Sequence, residues 1–266
     1  WARLNEEAQA VMASGRLADG RKMPMTVVEQ PDDCEAALAR LQDAVDQRRR
    51  GSSGAEAMSD QRHAIVLAVD FEFVTAQRGR QQLRYAQVAL GDLLFVFNVA
   101  WAPYLLAHET FRGKPTLRHW LMAPELLKVV QACAADANIL KDLGITMAPT
   151  FDTAMGDVIL RCGAQMRGLG ALVEDYVGDD RMSLKSDVKE DDHRVWWEHP
   201  LPPFALVYAW QDVAWSEELY RSQRQQLEEQ GLWSMALELS RHVAERDEHI
   251  AKSTPRVARL GVAVRG

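Results

Sequence analysis

Residues 64–73 read Ala64-Ile65-Val66-Leu67-Ala68-Val69-Asp70-Phe71-Glu72-Phe73. The opening six are apolar without a break and rich in β-branched side chains. A run this short, bounded by polar residues, predicts a strand buried on both faces. It then meets two acids. Side chains alternate along a strand, so Asp70 and Glu72 point to one side, and Phe71 and Phe73 turn to the other, into the core. Two carboxylates at the end of a core strand repel each other and lose hydration, so a cation belongs between them. A hard divalent ion is the one that takes carboxylate oxygens. Taken alone, the stretch reads equally well as a strand running out into solvent with two surface acids.

The chain around it has 266 residues, 47% hydrophobic and 26% charged, which suits one large globular domain with extensions. A net charge of -7 argues against general, charge-driven nucleic-acid binding, so any such contact needs a local basic patch. Cys34, Cys133 and Cys162 are too scattered for a zinc motif or a disulfide framework, which points to an intracellular, reducing compartment. No stretch is long and apolar enough to span a membrane. The chain opens on Trp1, so a targeting segment would not be visible in it.

Outward from the central strand, Leu4 to Leu17 predicts a helix and Met25 to Glu29 a short strand. Pro31 stops that strand, and Asp32 or Asp33 caps a helix whose apolar residues Ala36, Leu38, Leu41, Ala44 and Val45 follow helical spacing. Arg50 to Arg62 has linker composition. Leu83 to Leu90 and Leu93 to Val99 form a hairpin about Gly91 and Asp92. Trp101 to Trp120 is irregular. Lys128 to Val130 closes a helix or begins a strand. Ala132 to Leu143 is a helix with Ala132, Ala135, Ile139 and Leu143 on one face, and Thr150 to Asp152 is a short strand. Ala154 to Ile159 and Leu169 to Val177 are helical, and Asp179 to Asp192 is a charged insertion. Two late helices, Phe204 to Gln230 and Leu232 to Ile250, precede a basic tail. Strands early and helices late around a mixed sheet give an α/β class.

Three further residues carry chemistry. Tyr208 and Asp212, in the phrase YAWQD, lie four apart on a helix and share a face. Asp136 sits inside the helix CAADANIL. Each alone reads as an ordinary surface group. Together with DFE they resemble the DEDD 3′–5′ exonuclease superfamily, and more closely its RNase D-like type, whose last motif carries a tyrosine. TVVEQPDDCEAALARL, LKVVQACAADANIL, FDTAMGDVIL, LGALVEDYVG and WWEHPLPPFALVYAWQD occur in the family's order. The chain departs from the pattern at Gln131, where histidine is common, and at His199, where arginine is common before Pro-Leu.

The resemblance implies a ribonuclease H-like fold: a mixed sheet flanked by helices over 25–230, with an N-terminal extension at 1–24 and a C-terminal helix and basic tail at 231–266. It implies that Asp70, Glu72, Asp136 and Asp212 hold two Mg²⁺ or Mn²⁺ ions while Tyr208 orients a water. The expected reaction is 3′–5′ hydrolysis of single-stranded nucleic acid, RNA in preference to DNA, releasing nucleoside 5′-monophosphates. Arg78, Arg80 and Arg84 form a basic patch that could meet phosphates. The alternative is a weakly active or inactive exonuclease-fold subunit that binds RNA or protein partners in a larger assembly. That reading expects exposed tryptophans among Trp101, Trp120, Trp196, Trp197 and Trp233.

Overall fold

The computed structural model describes residues 2–15, 22, 25–51, 65–75, 81–178 and 193–245. Most of the expected linker, the charged insertion, Arg78, Arg80 and the basic tail lie outside the described residues.

The strands are β1 (Met25–Val28), β2 (Ile65–Thr75), β3 (Gln81–Leu90), β4 (Leu93–Asn98), β5 (Thr110–Phe111), β6 (Lys114–Pro115), β7 (Leu126–Val130) and β8 (Thr150–Asp152). Among the described residues six of them form one mixed sheet in the order β1-β4-β3-β2-β7-β8, and β5 and β6 make a small separate hairpin. Strand β2 is antiparallel to β3 and parallel to β7. Gly91, at φ +59°, turns the chain from β3 into β4.

The central strand separates two cores. Val69 and Phe71 join one with Leu38, Leu41, Phe95 and Trp120, while Ala68 and Val74 join the other with Tyr85, Phe204 and Trp210. This is why the run has no polar alternation before Asp70. Phe73 lies on the side of Phe71 but is only half-buried, because it sits near the strand end. Opposite it the register slips: Glu72 pairs with Tyr85 and Phe73 with Leu83, which leaves Arg84 as the extra residue of a β-bulge.

The helices are α1 (Ala2–Ser14), α2 (Pro31–Gly51), α3 (Tyr104–Ala107), α4 (Leu117–Met122), α5 (Ala134–Asp142), α6 (Thr153–Leu160), α7 (Leu169–Val177), α8 (Pro203–Ala214), α9 (Ser216–Glu229) and α10 (Trp233–Glu245). Helix α2 buries Cys34, Ala37, Leu38, Leu41 and Val45, with Asp32 and Asp33 in its first turn and three arginines in its last, as the helix dipole favours. Helix α1 packs against α8, and α10 against β8 and α6.

Several expectations change. The helix expected over Leu4 to Leu17 ends at Ser14, because Gly15 adopts φ +58° and closes the last turn onto Val11. The stretch 101–120 is not wholly irregular: it holds α3, β5, β6 and the start of α4. Residues 128–130 belong to a strand. The single helix expected from Phe204 to Gln230 breaks at Trp215. Helix α8 lies against β2, β3 and β4, whereas α9 lies against α6 and α7, and one straight axis cannot serve both. The Trp215 ring, 1% exposed, is buried at the corner. The buried face of α5 also differs. Cys133, Asp136, Ala137, Ile139 and Leu140 face inward, while Ala135 is exposed and Leu143 is 45% exposed.

Candidate metal centre

Strand alternation puts Asp70 and Glu72 on the face of Ala68, which is the face covered by α8. On α8, Tyr208 and Asp212 are one turn apart. Oxygens of Asp70, Glu72 and Asp212 lie within 4.8 Å of one another. Asp212 is buried and the two strand acids are half-buried. Asp136 stands just outside this trio. It is 8% exposed, and its carboxyl is pushed well above the usual carboxylate range, first by burial and then by the charge of Asp70. The surface reading of Asp136 is therefore wrong. Tyr208 is half-buried, its ring edge-on to Trp196 at 6.0 Å.

The donor set is all carboxylate oxygen, three groups converge, and a fourth, Asp136, feels the charge of one of them, Asp70. Such a cluster loses hydration and repels itself unless a cation neutralises it, and its chemistry fits Mg²⁺ or another hard divalent ion.

Two supporting residues were not singled out from the sequence. Gln87 is fully buried opposite Asp70, and its Nε2 donates to Glu72 Oε1 at 3.4 Å. Alternation along β3, once registered on β2, points to it. Asp152 is fully buried and accepts from the amides of Ala132 (2.9 Å), Cys133 (3.0 Å) and Ala154 (2.9 Å). It thereby caps α6 and also holds the turn that starts α5, where Ala132 has φ +54°. The phrase Asp152-Thr153 before an apolar helix is the signal, since aspartate is a preferred N-cap. Burial raises the Asp152 carboxyl and the three amides pull it down; burial wins. Gln131, beside the same turn, donates to the Arg167 carbonyl at 3.1 Å, and the Arg167 guanidinium clasps buried Asp157 at 2.7 Å. The His199 ring lies against that of Trp101, tilted by 37°.

Of the five tryptophans considered, Trp120 and Trp196 are buried and Trp233 is half-buried against Phe151 and Tyr220. Trp101 and Trp197 are exposed.

A model of the 3′–5′ exonuclease family matches residues 27–228. Ribonuclease D of Xanthomonas oryzae pv. oryzae is 26% identical over 165 residues, covering 62% of this chain and 41% of its own length. The chain thus spans about two-fifths of that relative. Escherichia coli RNase D, described as an exoribonuclease involved in structured RNA processing, superposes with a TM-score of 0.61 at 22% identity, covering 84% of this chain and 50% of its own. Brucella melitensis NrnC with bound Mg²⁺ superposes at 0.54 with 19% identity, covering 77% and 90%. These likenesses establish the fold as RNase D-like, the ribonuclease H-like mixed sheet flanked by helices. Among the described residues no helix is long and apolar enough to cross a membrane.

Proposed function

Since the chain belongs to the 3′–5′ exonuclease family, we propose that it removes nucleotides one at a time from the 3′ end of single-stranded RNA, with Asp70, Glu72, Asp136, Asp212 and Tyr208 as its working residues. The observation that carries this reading is the convergence of Asp70, Glu72 and Asp212 oxygens within 4.8 Å, from a strand and a helix remote in sequence. The four carboxylates would hold two divalent ions, Mg²⁺ or Mn²⁺. When bound, such a pair supplies a lowered water pKa and charge stabilisation for the attacking and leaving oxygens of a phosphodiester.

The chain's own groups do the rest. Asp70 and Glu72 are fixed by the sheet, with Gln87 holding one Glu72 oxygen. Asp212 comes from α8, which α1 braces: Asn5 Oδ1 accepts from the Phe204 amide at 3.3 Å, near the start of that helix. Tyr208, one turn before Asp212, orients the attacking water through its hydroxyl.

The test uses RNA labelled at its 5′ end, incubated with the protein and Mg²⁺ or Mn²⁺. Stepwise shortening from the 3′ end that stops on chelation is the expected result. No shortening of RNA or DNA with either metal would hand the chain to the alternative reading, an exonuclease-fold binding subunit.

A further inference from the structure

Two tryptophans are open to solvent. Trp101 is 53% exposed and Trp197 46%. Neither ring stands alone. The Arg84 guanidinium lies 5.0 Å from the centre of the Trp197 ring, and the His199 ring lies 4.0 Å from that of Trp101. Three segments knit the two pairs together. The Ala100 amide donates to the Arg84 carbonyl at 3.2 Å, and Arg84 Nε donates to the Trp196 carbonyl at 3.3 Å. Arg84 is the bulge residue of β3, and a bulge re-aims the side chain it frees. Glu29 Oε1 sits 3.4 Å from His199 Nδ1.

The patch connects to the site through buried rings. Trp196, between Trp197 and the core, meets the Tyr208 ring at 6.0 Å and the Tyr85 ring at 6.1 Å. Tyr85 is the direct cross-strand partner of Glu72. A strand whose 3′ end lay at the carboxylates and whose body ran past the Trp196 segment would meet two flat aromatic rings and a guanidinium.

We propose that Trp197 with Arg84, and Trp101 with His199, form a stacking platform for bases upstream of the scissile phosphate. The proposal rests on the exonuclease reading and adds to it where the strand runs. Each ring is paired with a nitrogen-bearing side chain, Arg84 or His199, which suits a base and the phosphate beside it. Base stacking asks only for a π-face, and arginine adds cation–π attraction and a phosphate contact. It also suits a chain of net charge -7, which cannot hold RNA by general electrostatics.

The experiment measures the affinity of a fluorescent single-stranded RNA of about ten nucleotides, a length within the usual span of such grooves. It uses the full chain carrying Asp212→Asn, in Mg²⁺, so that turnover does not interfere. Trp101→Ala and Trp197→Ala should each weaken binding about tenfold, the usual scale of one lost stacking contact, while Trp197→Phe restores most of it. The loss should persist at high salt, unlike that of Arg84→Gln. Hydrolysis by the protein with Asp212 intact is followed in parallel. If it shortens RNA and both alanine variants bind as tightly as their parent, the platform is overturned and the exonuclease reading stands. If it neither cleaves nor binds RNA, both fall together. If RNA affinity is unchanged but a monomer–dimer equilibrium shifts, the patch belongs to a second copy of the chain.

Discussion

Asp70 and Asp212 are brought together by the fold at the expense of mutual repulsion, and that sets what their substitution does. Asparagine keeps the shape and removes the charge that holds a divalent ion. Asp70→Asn or Asp212→Asn should lower nuclease activity by about 10³-fold, the scale of a lost electrostatic contact at the reacting group. The melting temperature without metal should stay level or rise, since one repelling charge is gone. Activity retained in Asp212→Asn would show the site to be wrongly assigned. Tyr208→Phe removes one hydrogen bond to water and should cost less, about 10²-fold. Lys128 poses the opposite problem, a cation inside the sheet. It is fully buried, its Nζ donates to the carbonyls of Ala123 (2.7 Å) and Ala148 (2.6 Å), and burial lowers its pKa to about 7. An unfolded lysine keeps its proton to about pH 10.4. Between those values the unfolded state binds more protons, so stability should rise with pH, at most about 1.4 kcal/mol per unit, and level off below 7. Urea unfolding at several pH values, compared with Lys128→Met, checks this: the variant should lose the slope. An identical slope in both would show that Lys128 stays charged in the fold.

At the scale of elements, the turn from β7 into α5 is the part of the site that rests on other chain segments. Asp152 Oδ1 accepts from Ala132 and Ala154, and Oδ2 from Cys133, so one carboxylate serves three amides. Asp152→Asn leaves one acceptor oxygen and should cost about 1–3 kcal/mol, the range for a buried group that loses its partner. Because Asp136 follows that turn, the same variant should need more Mg²⁺ for half-maximal activity. Unchanged stability in a urea melt would remove Asp152 from this role. What the sequence disclosed divides along the same line. Strand β2 was legible because an apolar run ending in Asp-x-Glu encodes both its burial and the direction of its acids. Residues Asp70, Glu72, Asp136, Tyr208 and Asp212 were readable as motifs in order. The inward face of α5 was not legible, because Ala135 and Leu143 fit an apolar stripe as well as Ile139 does, and only packing against neighbouring elements picks the face. The corner at Trp215 was hidden for a related reason. No proline or glycine marks it, and α8 and α9 part because their partners differ. Gln87 needed the register of β3 on β2, which local pattern does not carry.

Across the whole molecule, the carboxylates come from β2, α5 and α8, so a bound ion would tie the sheet to helices on both cores. Helix α1 packs on α8 and α10 packs on α5, so each backs an element that carries a site residue. The chain's charge of -7 adds to the repulsion among these acids. An ion that binds only the folded state therefore should stabilise the entire domain. At a hundredfold excess over its dissociation constant the gain is about 2.7 kcal/mol. For a domain of this size that corresponds to a melting temperature about 5–10 °C higher. Mg²⁺ or Mn²⁺ should produce this rise, saturating with concentration, while Na⁺ at equal ionic strength should give far less, because screening alone does not bridge four carboxylates. Asp212→Asn should reduce the divalent-specific rise, since it deletes one ligand of the trio. The measurement is thermal unfolding with the salts compared at matched ionic strength, and it needs neither RNA nor turnover. A divalent-specific rise of the same size in Asp70→Asn and Asp212→Asn would locate the binding elsewhere on this acidic chain, and its absence in the parent protein would remove the metal from the reading altogether.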